Sequence, residues 1–188
     1  MSVFSKNVGP VEIVFNGTSL GLTLGGTVLS AKQNIFRPVA DVTGTTARGK
    51  FVTGEEVMIK AAVTEATHEQ IAAIFGTDVE GSTTKAVTFK SQVGKDLLAD
   101  YVGLLILKPI VEGVVSTTEA DWITVPAATL VPAVELPMQI AGQKAWAFEG
   151  EGHPVLAEHI ATGGHLYNSG SPEYAVGDLV RFGKATSV

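Results

Sequence analysis

Cysteine is absent from the 188-residue sequence, which excludes disulfides and thiolate metal sites, and with them zinc-finger and iron–sulfur readings. Charge is scarce, at 17% of residues against the ~25% usual in a soluble domain. Cations are scarcer than anions, 13 against 19, for a net charge of −6. An acidic field argues against tight phosphate binding, because nucleic-acid affinity comes mainly from Lys and Arg. Long hydrophobic runs are also missing. The longest apolar stretch, residues 102–107, falls far short of the ~20 residues of a membrane span. Residues 1–10 are mixed polar and carry no basic-then-apolar leader, so the expectation is a soluble chain made in the cytosol without a membrane anchor. The sequon at Asn16 then has no glycosylating context, and Asn16-Gly17 reads as a turn. No internal repeat of solenoid period is visible.

What the sequence does have is apolar residues at 45% and 21 glycines, with Val, Thr and Ala prominent, a usage that favours strands and turns over long helices. A chain of this size buries roughly 70% of its unfolded surface without staples, and residues 1–188 read as one domain with an N-terminal arm at 1–10. The low charge content suggests that partners cover much of the surface. Residues 1–60 hold 6 basic and 4 acidic groups (+2), and residues 61–188 hold the other 7 and 15 (−8).

Along the chain, residues 11–15, the Asn16-Gly17 turn and residues 20–24 have the form of a β-hairpin. A third strand is expected over 27–36, ended by Pro38, which removes a ladder donor. Residues 38–50 are polar and rich in Thr and Gly, far longer than the usual ~4–6-residue connection, so they read as a long extended loop with a binding role. From 51 to 63 the residues alternate, with Val57, Ile59 and Ala61 on one face and Glu56, Met58 and Lys60 on the other. Thr64 or Thr67 caps a helix through Phe75, and Gly76 stops it. Alternation resumes near Val87 and Phe89. Residues 101–111 are apolar on both faces and should form a central or interface-buried strand. Residues 121–125, 146–148 and 174–182 are weaker strand candidates, Pro126, Pro132 and Pro137 exclude a continuous helix, and residues 154–161 stand open between a short helix and a strand.

The candidate chemistry is thin. His153, His159 and His165 recur every six residues, a spacing that spreads neighbours roughly 20 Å apart on a strand and rotates them by about 240° on a helix; no metal site and no cofactor are expected. Glu149, Glu151 and Glu158 read as a solvated acidic face. Ser82-Thr83-Thr84-Lys85 matches the Ser-x-x-Lys pattern of acyl enzymes, but in a turn before a strand rather than at a helix start. Gly21, Gly25 and Gly26 lack the spacing of a dinucleotide loop. Arg37, Arg48 and Lys50 form a small basic group at the long loop, without the aromatics of a strand-binding platform.

The order of elements resembles a family. The opening hairpin with Gly21, Thr23, Leu24, Gly25 and Gly26, a strand leading into a long Thr/Gly loop, the returning strand from Val52 to Lys60 and one short helix are similar to tail tube proteins of long-tailed phages and related gene-transfer particles. The likeness spans about residues 10–110 and leaves room for a C-terminal elaboration over about 120–188. It implies a mainly β fold, sandwich- or barrel-like sheets with one flanking helix at about 64–75 and the extended loop at about 38–50. It also implies hexameric rings stacked head to tail in a virion tail, in company with other tail proteins, with DNA passing transiently through the lumen and no catalysis. The loop residues Arg37, Asp41, Thr43, Thr45, Arg48 and Lys50 are the expected contacts between subunits. Within the structural class, an inner tube of a contractile device, a terminator or a capsid decoration protein fits nearly as well. From another class, a small β-barrel hydrolase or sugar-binding module would use residues 149–165.

Overall fold

The computed structural model describes residues 10–23, 25–38, 49–64, 67–89, 91, 93–131, 146–162, 164–166 and 174–183. They form a mainly antiparallel β structure with a flanking helix. The chain opens with β1 (Val11–Phe15), β2 (Thr18–Leu22), β3 (Val28–Phe36) and β4 (Phe51–Val63), then α1 (His68–Phe75) and the small pair β5 (Val79–Glu80) and β6 (Ala86–Val87). There follow α2 (Leu97–Asp100), β7 (Gly103–Val111), β8 (Val114–Val115), β9 (Ile123–Val131), β10 (Trp146–His153), α3 (Ala157–Ile160) and β11 (Arg181–Phe182).

The main sheet runs β2-β1-β7-β9-β10-β4-β3, with β8 added to β7 and β11 to β9. It curls on itself. Thr23, just past β2, bridges Val63 at the end of β4, and the Thr64 N–H donates to the Leu22 carbonyl at 3.3 Å. One buried cluster therefore draws Ile13 and Phe15 from β1, Leu20 from β2, Ile59 and Val63 from β4, Leu105 from β7, Val125 from β9 and Phe148 from β10. Side chains from six strands meet in one core only when the sheet wraps around it, which also removes most open edges.

Local sequence explains the first elements. Asn16 and Gly17 take φ of 47° and 79°, the positive pair that a two-residue hairpin turn requires. The Asn16 Oδ1 also accepts from the Leu104 N–H at 2.9 Å, tying the turn to β7. Thr67 caps α1, its Oγ1 accepting from the Gln70 N–H at 3.3 Å while Gln70 Oε1 accepts from the Thr67 N–H at 2.7 Å. Gly76 ends the helix at φ 59°. The inward face of α1 carries Ala72 and Ile74, and Phe75 at its end meets Phe89 edge-on at 4.9 Å.

The strand expected near Val87 is shorter than its alternation suggests, pairing only over Ala86–Val87. The weak candidate at 121–125 is instead the well-buried β9, which runs through Pro126. Proline fits because the β7–β9 register shifts between Gly103 and Leu105. Moreover, β10 pairing starts at Ala127 and β11 pairing stops at Thr124. The missing N–H thus falls at a bulge, the position a strand proline tolerates. The candidate at 146–148 extends to His153, and the closing strand contracts to β11. Residues 154–161 resolve in favour of a helix, the four-residue α3.

A second, smaller cluster lies on the outer side of the barrel. Ala127, Val155, Leu166 and Tyr174 are buried there, with Val102, Leu104 and Ile160 against them. It explains why β7 is apolar on both faces. Leu105 and Leu107 face the barrel core, while Leu104 lies under the C-terminal segment.

Candidate functional site

Beyond the barrel, β3 and β4 continue as a two-stranded arm. In β4 the inward residues Val57, Ile59, Ala61 and Val63 are buried, whereas residues 51–56 are exposed or half-exposed, and so are residues 31–36 of β3. The strands stay in register as Ala31↔Val57, Lys32↔Glu56, Gln33↔Glu55 and Asn34↔Gly54. Between them Gln33 Nε2 donates to Glu55 Oε1 at 2.8 Å.

The register then shifts by one residue. Thr53 is the extra residue, and its Oγ1 donates to the Asn34 carbonyl at 3.2 Å. Such a bulge sharpens the local twist and re-aims the strands beyond it. Those last two rungs of the arm are apolar: Ile35 opposes Val52 and Phe36 opposes Phe51. Opposed residues share a face and successive residues alternate, so the arm's distal end presents an aliphatic pair on one face and an aromatic pair on the other. Their exposures are 49% and 55% for Ile35 and Val52, and 58% and 60% for Phe36 and Phe51. Among the described residues β3 pairs with β4 alone, which leaves a nine-residue strand edge open. An exposed apolar strand edge is a ready template for another chain.

Of the expected contact residues, Arg37 and Lys50 directly follow and precede the Phe36–Phe51 pair, and both are exposed. Both therefore stand at the arm's end, one at the end of each strand. Asp41, Thr43, Thr45 and Arg48 lie outside the described residues. The four exposed apolar residues beside them were not among the expected contacts, although Ile35, Phe36, Phe51 and Val52 bracket the polar loop in the sequence. Their alternation reads as ordinary strand, and only the burial pattern separates arm from barrel.

The residues weighed for chemistry are scattered. Glu149 on β10 is paired to Lys60 at 2.6 Å, with both groups largely in water; Glu151 and Glu158 are exposed. Ser82, Thr83 and Thr84 form the bend between β5 and β6, and Lys85 is ion-paired to Glu69. The histidines depart from expectation. The rings of His159 and His165 approach to 4.9 Å between centroids, because α3 stops at Ile160 and the chain doubles back until the Leu166 N–H donates to the His159 carbonyl at 3.0 Å. A six-residue spacing keeps two rings apart only along one continuous element; Gly163-Gly164 was the available signal of a reversal. His153, from β10, instead bonds Thr129 Oγ1 through Nε2 at 2.9 Å. Among the described residues no group of three or more His, Asp or Glu is placed to hold a metal ion, and no helix is long and apolar enough to cross a membrane.

No family model matches the chain, and no curated protein is found similar to it in sequence.

Proposed function

We propose that the chain is a structural subunit that assembles with copies of itself, through the β3–β4 arm, into stacked rings forming a tube of the phage-tail kind. The observation that carries this reading is the arm's distal end, apolar on both faces, exposed, flanked by Arg37 and Lys50 and bordered by the open β3 edge. A single domain gains nothing by holding these side chains in water. Full burial of each stabilises by roughly 1.5–3 kcal/mol, which for four is of the same order as the ~4–15 kcal/mol cost of association. One arm alone makes a weak contact, and repetition around a ring makes it strong.

An arm on one copy fitting a different surface on the next is a heterologous contact, and such contacts propagate into filaments when they do not close. Hexameric rings, the location in a virion tail with other tail proteins, and passage of DNA through the lumen come from the resemblance to tail tube proteins. The net charge of −6 suits a conduit, since an acidic wall does not retain phosphate.

The test is negative-stain microscopy of the purified chain over rising concentration, beside Phe36→Ser/Phe51→Ser and a deletion of residues 39–49. The wild type is expected to give rings or tubes. Both variants should keep the wild-type β circular dichroism and stay unassembled. Normal tubes from either variant, or a wild type monomeric at every concentration, overturn the proposal.

A further inference from the structure

His159 is 4% exposed, and its Nε2 has no hydrogen-bond partner among the described residues. Its other ring nitrogen, Nδ1, accepts from the Leu156 N–H at 3.1 Å. That bond is half of a capping box on α3, with a histidine where Glu or Gln usually stands. It also fixes the tautomer: Nδ1 is the acceptor, so the ring is neutral and its proton sits on Nε2.

Around this ring the C-terminal cap is assembled. The Leu166 N–H donates to the His159 carbonyl at 3.0 Å, the Val155 N–H to the Asp178 carbonyl at 3.0 Å and the Gly177 N–H to the Val155 carbonyl at 2.8 Å. His165 Nε2 bonds the Pro126 carbonyl at 3.0 Å, and Val155, Leu166 and Tyr174 are buried together over Ala127. The cap reaches the arm as well. Leu179 and Val180 line a groove of about 410 Å³ with Ala31, Lys32, Glu56 and Val57.

We propose that His159 is an acid-sensitive latch that holds the cap, α3 with residues 164–166 and 174–183, against the outer face of β9 while neutral and releases it when protonated. Protonation places an N–H at Nδ1, donor against donor, and buries a charge that meets no acceptor at Nε2 among the described residues. The packed elements do little to compensate. His165 from the 164–166 turn and His153 from β10 carry no negative charge, Glu158 on α3 and Glu151 on β10 are exposed, and the Asp178 carboxylate accepts from the Ala175 N–H. Tyr174 carries Arg181 over its ring. Burial, then the neighbouring His165, push the His159 imidazole below its ordinary 6.5, against the opposing pull of Glu158. A neutral form favoured in the folded state gives stability that is intact above 6.5 and drains as pH falls from there toward the lowered value. The latch belongs to the single subunit and does not depend on tube assembly.

The experiment is amide hydrogen exchange from about pH 7.5 to 5.5, corrected for intrinsic rates, at Val155, Leu166 and Gly177. Their protection is expected to fall up to about tenfold over that range, while Ile59 and Leu105 in the barrel stay protected. In His159→Asn, whose Oδ1 can accept the Leu156 N–H without titrating, the profile should be flat. Nitrogen chemical shifts of the wild-type ring supply a check that needs no variant: Nε2 carries the proton at the upper end of the range, and the His159 titration tracks cap opening. Protection that does not change with pH, an undiminished response in His159→Asn, or opening without His159 titration overturns the latch.

Discussion

Phe148 is 1% exposed in the barrel core, and the next two inward residues of β10 are glycines. A Cβ on Gly152 would stand 2.8 Å from Val125 Cγ1 and 2.9 Å from Val57 Cβ. Two bare positions after one large ring let Val57 of β4 and Val125 of β9 pack directly over β10. Phe148→Ala should therefore cost about 3–5 kcal/mol, read as a lower urea midpoint with an unchanged slope; a loss below about 1 kcal/mol would mean that the core collapses into the gap. Acid acts on other residues at other pH values. Hydrogen bonding from Lys85, helped by a backbone bond, lowers the Glu69 carboxyl to about 2. Its contribution is complete above 4.5 and fades between 4.5 and about 2, well below the range in which His159 acts. Glu69 is also exposed, so screening keeps that contribution small.

At the scale of elements, α1 depends on its ends. Its eight residues are too few for an isolated helix, so the Thr67–Gln70 box and the docking of Ala72 and Ile74 hold it. Thr67→Ala should cost about 1 kcal/mol and Thr67→Ser almost nothing, a difference that thermal unfolding resolves. Equal losses in the two would show that the cap hydroxyl is idle. The stop is equally local. Gly76 takes a left-handed φ of 59°, and a Cβ there would run into the Tyr101 ring. The arm is the opposite kind of element. Its ladder is regular only as far as Asn34, its packing is confined to the junction with the barrel, and the Thr53 bulge sets the direction of its apolar end.

For the whole molecule, the proposed assembly divides its work between charge and apolar surface. In the proposed assembly the +2 of residues 1–60 against the −8 of the remainder would steer copies together, setting the association rate more than the final affinity. Raising salt from about 0.1 to 1 M shortens the screening length from about 10 to 3 Å. Light scattering should then show slower assembly reaching a similar end point, because burial of Ile35, Phe36, Phe51 and Val52 is not screened. A rate indifferent to salt would rule out charge steering.

The sequence by itself determined whatever is decided within a few residues. The Asn16-Gly17 turn, the Thr67 cap, the Gly76 stop and the alternation of Val57, Ile59 and Ala61 each express a local preference of backbone or side chain, and each stands where the sequence places it. β9 and β10 were only partly legible, since Pro126, Gly150 and Gly152 argue locally against strands and are accommodated by a bulge and by close packing from distant strands. Arg37 and Lys50 were legible as site candidates from composition and loop length, but their apolar neighbours were not. Whether Phe36 and Phe51 end in a core or in water depends on how far the barrel extends beneath them. Tertiary structure alone decided that the sheet closes at Thr23 and Val63, that β3 and β4 outrun the barrel, and that a chain reversal sets His159 against His165. Those outcomes depend on contacts between residues far apart in the chain or on its path through space, which no short window of sequence encodes.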